Sequence, residues 1–172
     1  MERSDGSGKS GTAVADMASL SGKYLTFKLV AETYGLEILK VQEIIGLLAI
    51  TPVPRAPNFV RGVINLRGKV IPVVDMHSVF SLKPIEDTER TCVVVVQIVY
   101  RGGDITMGIV VDEVSEVLDI DGKLIEPPPS FGGAMKLDFI LGVGKVGGKV
   151  IMLLDVDKVL SGGEIENVGN LA

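Results

Sequence analysis

One cysteine, one histidine and no tryptophan leave this 172-residue chain little equipment for chemistry. Cys92 can form no disulfide within the chain, and in the apolar run "CVVVVQIVY" it reads as a small buried hydrophobe in a reducing compartment. With His77 and Cys92 as the only soft ligands, no zinc cluster assembles, and a histidine-based triad would have to use His77. His77 follows a capping aspartate with no nucleophile motif beside it, so it is read as a surface or helix-end histidine. Positive charge is scarce as well. Seventeen basic against 22 acidic residues give a net charge of −5, which offers no field to draw a phosphate backbone, and 5% aromatics leave little on which bases could stack. No apolar run approaches membrane-spanning length, and "MERSDGSGKSGTAVADM" puts charge and glycine where a secretory signal needs an apolar centre. The expectation is a cytoplasmic protein with no membrane insertion and no nucleic-acid partner.

What the chain has is small aliphatic surface. Hydrophobic residues make up 47% and mean hydropathy is +0.41, so the interior is expected to be Val, Ile and Leu, an excess that favours strands. Strand-like runs fall at 24–30, 34–38, 60–66, 69–74, 91–99, 105–111, 114–120, 139–146 and 149–154, several joined by glycine turns such as "RGGD" and "VGGK". Two short helices are expected after Asp75 and Asp155, each aspartate accepting hydrogen bonds from first-turn amides, with Gly162-Gly163 stopping the second. Residues 1–21, rich in Gly, Ser and Asp, read as a mobile tail. Within them "GSGKSG" is an incomplete phosphate-binding loop, because Arg3 stands where the pattern needs its first glycine and no strand precedes it. "DIDG" at 119–122 lacks the spacing of a calcium loop and is read as a turn. The carboxylates at 155, 157, 164 and 166 fall at a helix start and in a polar tail, and do not form a catalytic pair. No cofactor is expected.

An internal repeat organises the rest. Residues 62–75 lie over 142–155 without a gap, with seven of fourteen positions identical, among them Gly68/Gly148, Lys69/Lys149 and Asp75/Asp155. Upstream, "GLEILKVQEII" from Gly35 lies over "GIVVDEVSEVL" from Gly108, matching Val41 to Val114 and Glu43 to Glu116. Each half also holds a proline cluster, "ITPVP" and "IEPPP". Two similar β units follow, and a sheet this small hides its edges by curling into a barrel. Pro72, inside a strand, calls for an edge position or a bulge.

Residues common to both copies read as structural, and those in one copy become candidates for function. Gly68 and Gly148 sit where a turn needs a positive φ. Asn65 and Arg67, by contrast, are matched by Lys145 and Gly147. Arg67 is therefore not required by the turn, and a guanidinium at a rigid tip presents a planar fork of donors for a carboxylate or an interface. Glu43 is expected to pair with Arg67 and orient it. Around Glu43, Ile38, Val41 and Ile45 recur at helical spacing but also alternate as in a strand, and serve either the core or an apolar groove between the barrels.

"LKVQEII", "ITPVP", "FVRGVINLRGKVIPVVDM", "GIVVDEVSEVL" and "GKVIMLLDVDKVL" together resemble the CheW family of bacterial chemotaxis coupling proteins, over residues 22 to 161. The resemblance implies an all-β fold of two SH3-like five-stranded barrels side by side with a few short helices. It divides the chain into a tail at 1–21, a first barrel at 22–82, a second at 83–155, and a short helix and tail at 156–172. It implies a noncatalytic adaptor with two partners, the cytoplasmic tip of methyl-accepting chemoreceptors and the regulatory domain of the histidine kinase CheA, recruited to membrane receptor arrays. By the matching motifs, Val41, Glu43, Asn65 and Arg67 belong to the coupling interface, and Gly62, Gly108 and Val117 align with positions where the family is sensitive. At 172 residues the chain is expected to hold no receiver domain after the barrels. A small barrel binding a ligand or nucleic acid is the alternative on fold alone, and an enzyme is a third for which no constellation speaks.

Overall fold

A computed structural model describes residues 17–47, 49–128 and 138–160. Among them are eleven strands: β1 Gly22–Leu29, β2 Glu32–Glu37, β3 Val41–Gly46, β4 Val60–Leu66, β5 Lys69–Asp75, β6 Cys92–Tyr100, β7 Gly103–Val111, β8 Glu113–Ile120, β9 Ile125–Glu126, β10 Ile140–Val146 and β11 Lys149–Leu154. The ambiguous stretch around Val41 is both things in turn, a 3-10 turn at Ile38–Lys40 and then a strand. Both aspartate caps are present. Asp75 accepts from the His77 amide at 2.9 Å and Asp155 from the Lys158 amide at 3.3 Å, each opening a one-turn helix, Met76–Val79 and Val156–Val159. Gly162 and Gly163 lie outside the described residues, as does the tail through residue 16. Residues 17–21, expected in that tail, belong to the folded body: Met17 and Leu20 pack against buried side chains, and the Leu20 carbonyl accepts from the Tyr24 hydroxyl at 2.6 Å.

The strands form two sheets, a six-stranded one in the order β8-β1-β2-β11-β10-β9 and a five-stranded one in the order β3-β6-β7-β5-β4. Both orders are open, so the expectation of closed barrels is corrected to rolled, SH3-like sheets. The roll is visible in the connections. β8 ends at Ile120 on one edge and β9 begins at Ile125 on the other, so a single 3-10 turn spans the seam. In the five-stranded sheet, Thr51 follows β3 and bridges to Val63 of β4, the opposite edge.

The repeat is reproduced in three dimensions. β4 pairs with β5 in the same register as β10 with β11, shifted by 80 residues, and the ladder slips at Val60/Gly62 in one and Ile140/Gly142 in the other. Yet the sheets do not divide at residue 82. β2 runs parallel to β11, with Gly35 opposite Leu153, and β7 runs parallel to β5, with Gly108 opposite Val73. Each sheet therefore takes its first hairpin from one copy and its later strands from the other. A boundary at 82/83 separates the copies of the repeat but cuts both sheets. Pro72 suits its place: β5 is an interior strand, but its ladder with β7 starts at Val73, so the missing amide costs no bond on that side.

Burial explains the unbroken valine run. Val93 and Val95 point into the interior of the five-stranded roll with Ile64, Ile71, Val73 and Val110, while Val94, Val96 and Ile98 point into a core shared with Leu25, Phe27, Leu29 and Leu36 of the other sheet. Each valine so buried contributes about 1.5–3 kcal/mol, and none of the four is left with a wet face. A third core, with Tyr24, Ile120, Ile125, Ile151 and Leu153, fills the six-stranded roll.

His77 is the helix-end residue expected, but it is not at the surface. Its side chain is buried, with Nδ1 2.9 Å from Asp75 Oδ1 and Nε2 3.0 Å from Asp112 Oδ2. The ring bridges the two carboxylates, and Asp112 also accepts from the Val30 amide at 2.6 Å, so the imidazole ties the end of β5 to the β1–β2 turn of the other sheet. Arg61 supports Asp75 from outside at 3.7 Å.

Because neither sheet is complete in one half, separated fragments 1–82 and 83–172, cut in the exposed stretch 83–90, are expected to lack a β-type circular dichroism spectrum singly and to gain it on mixing. A native-like spectrum from either fragment alone contradicts the exchange.

Candidate interaction site

The β4–β5 connection has only two residues, Arg67 and Gly68, with φ of 52° and 86°, the pair of positive values that a type I′ hairpin demands. In the second copy Gly147 and Gly148 take 56° and 80° without strain. Arginine thus occupies a backbone position that glycine fits better, as Arg101 does at the β6–β7 turn, so what sets this tip apart is what its side chain meets. Asn65 secures the turn, its Oδ1 accepting from the Gly68 amide at 2.8 Å. The guanidinium then reaches Glu43 as expected. Nη1 donates to Oε1 at 3.2 Å and Nη2 to Oε2, a bidentate contact. Glu43 lies on β3 and Arg67 at the end of β4, the two outer strands of the sheet, so the pair clasps the seam of the roll. The Arg67 side chain remains 72% exposed against 27% for Glu43, leaving roughly three of its five N–H donors for another molecule. The hydrogen bond from Arg67, with its charge, holds the Glu43 carboxyl below its usual range, and Glu43 raises Arg67 in return.

The other residues singled out by the sequence sort into two groups. Val117 is exposed on β8 and Val41 half-buried at the start of β3, where each can meet a partner. Gly62 and Gly108 sit where no side chain fits. A side chain on Gly62, whose φ is 142°, would strike the Thr51 carbonyl and lie 2.9 Å from Ile50 Cγ2, breaking the Thr51–Val63 bridge. At Gly108 a Cβ would meet Val93 Cγ1 at 2.7 Å and Val73 Cγ2 at 3.3 Å, forcing the neighbouring strands apart.

Sequence reasoning missed an aromatic cleft. Phe27, Tyr34, Phe80 and Phe139 stack in series with centroids 5.6–5.9 Å apart, and the last three line an open cavity of about 540 Å³ with Met152 and Leu154. The signal was scarcity: the chain holds five Phe and three Tyr, and half of these rings gather here.

Two rolled SH3-like sheets with a rigid, ion-paired fingertip define a binding scaffold. A CheW-like domain model matches residues 23–164. The chain is 36% identical over 164 residues to the chemotaxis protein CheW of Klebsiella aerogenes, covering 92% of this chain and 96% of that one. It is 32% identical over 139 residues to CheW of Thermotoga maritima, covering 79% and 85%. The crystal structure of the scaffolding protein TtCheW from Thermoanaerobacter tengcongensis superposes with a TM-score of 0.73 at 32% identity, covering 84% of this chain and 96% of that chain. This protein belongs to the CheW family of chemotaxis scaffolds.

Gly108→Ala is expected to cost about 1–3 kcal/mol by overpacking, and Gly62→Ala more, because a backbone carbonyl cannot swing aside; urea unfolding measures both. Since the Glu43 carboxyl is lowered in the folded state, the clasp is complete above the ordinary glutamate range and is lost only as pH falls through the lowered value. The carboxyl carbon shift of Glu43 should titrate below pH 4.5, and Arg67→Ala should return its midpoint toward that value.

Proposed function

We propose that this chain is a noncatalytic adaptor that couples chemoreceptors to the histidine kinase CheA, working in the cytoplasm beneath membrane receptor arrays. The observation that carries this reading is Arg67 itself, exposed, strained in its backbone and aimed by Glu43. Binding scaffolds draw their energy from apolar contact plus a few oriented polar anchors, arginine foremost among them. Val41, Glu43, Asn65 and Arg67 form the receptor-facing side of that interface, and the aromatic cleft, which lies beyond the other end of β5 from the Arg67 tip, supplies a separate apolar contact area. Val117, on the six-stranded sheet, extends the contact toward the kinase's regulatory domain, a β domain of the same kind. Membership of a family whose relatives bear the name of chemotaxis proteins supports the reading. A net charge of −5 and sparse aromatics weigh against the alternative of a barrel that binds nucleic acid.

Arg67→Ala should keep the melting temperature nearly unchanged, as the side chain is mostly exposed, while receptor-controlled kinase activity in a reconstituted array falls by at least about tenfold. Normal receptor control with that variant would refute the assignment.

A further inference from the structure

We infer that a cavity around Glu116, on the six-stranded sheet, is a docking site for an arginine offered by a partner protein at the tip of a two-residue turn. This goes beyond the coupling reading and does not depend on it. Glu116 follows Glu43 by 73 residues and sits in the same kind of ladder: Glu43 lies opposite Val95 beside a slip at Val41/Glu43, and Glu116 lies opposite Thr26 beside a slip at Thr26/Phe27. The tip of the β10–β11 hairpin, Gly147, follows Arg67 by 80 residues. Glu116 and Gly147 line one cavity of about 210 Å³, together with Thr33, Ser115 and Lys149. Both sheets therefore set a glutamate against a hairpin tip. In one the tip carries a guanidinium and the contact is closed. In the other the tip carries only a hydrogen, and the contact is left open.

The chemistry of the open site fits a guanidinium from outside. Among the described residues no cation pairs with the Glu116 carboxylate, which is exposed. Lys149 lines the cavity without bonding to Glu116, and its counterpart Lys69 holds the same place beside the occupied site, so a lysine there is compatible with a seated arginine. A carboxylate accepts the planar fork through two parallel bonds, which an ammonium cannot reproduce, and the hydroxyls of Thr33 and Ser115 can accept from the remaining N–H groups. The backbone also allows the site to be closed artificially. Gly147 has nearly the φ of Arg67, 56° against 52°, so Gly147→Arg can plug the cavity from within.

The probe is a head-to-tail cyclised peptide of residues 62–75, this chain's own arginine hairpin, titrated into the isotope-labelled full chain and followed by amide shifts. Saturable shifts at Ser115, Glu116 and Gly147 are expected, abolished in Glu116→Gln and in Gly147→Arg, with affinity at least about tenfold weaker when the peptide carries lysine for Arg67. A melting curve for each variant checks that it folds, and Glu116→Gln, which removes only a charge, suffices if Gly147→Arg does not. No shifts at Glu116, shifts that survive Glu116→Gln, or shifts centred on Glu43 as the peptide displaces Arg67 would each overturn the inference.

Discussion

Two short parallel ladders, β2 with β11 and β7 with β5, hold the architecture together. Parallel pairing cannot be made by a tight turn, and here each ladder joins a strand of one copy to a strand of the other. The copies are locked because each closes the other's sheet. The shared core follows from the same constraint, since β1 and β6, matching strands of the two copies, bring Leu25 and Phe27 against Val94 and Val96. His77 adds a polar tie at this junction, a buried imidazole held between two half-buried carboxylates.

Against this near-symmetric frame the differences between copies stand out. The two hairpins agree in length, register, slip position and sign of φ, so backbone geometry cannot explain why one tip is Arg67 and the other Gly147. The asymmetry lies in side chains alone. Asn65 braces the turn that carries the arginine, whereas its counterpart Lys145 turns away to pair with Glu126. At Arg67 the brace sits beside a non-glycine residue held in a left-handed conformation.

How much of this was legible follows from what each signal encodes. Alternation and turn glycines locate strands, and the aspartate caps at 75 and 155 fall where their spacing put them. Repetition within one chain was enough to isolate Arg67 and to pair it with Glu43. The exchange of strands was not legible, because hydrophobic period fixes which face of a strand is buried and carries nothing about its neighbour. The valines of β6 read the same whether their partner is β3 or β1. The burial of His77 was not legible because Asp112, its second partner, is 35 residues away and meets it only through the fold. The pattern left open whether contact or folding is at stake at Gly62 and Gly108; the need for glycine at each shows only when the carbonyl of Thr51 and the methyls of Val93 and Val73 are in place.

The β2–β11 ladder joins residues separated by more than a hundred positions. During synthesis β1 and β2 leave the ribosome long before β11 exists, and until then their apolar edge has no native neighbour. The order in which this topology deals out its strands thus keeps the first hairpin waiting, one edge unpaired, until β11 has been made.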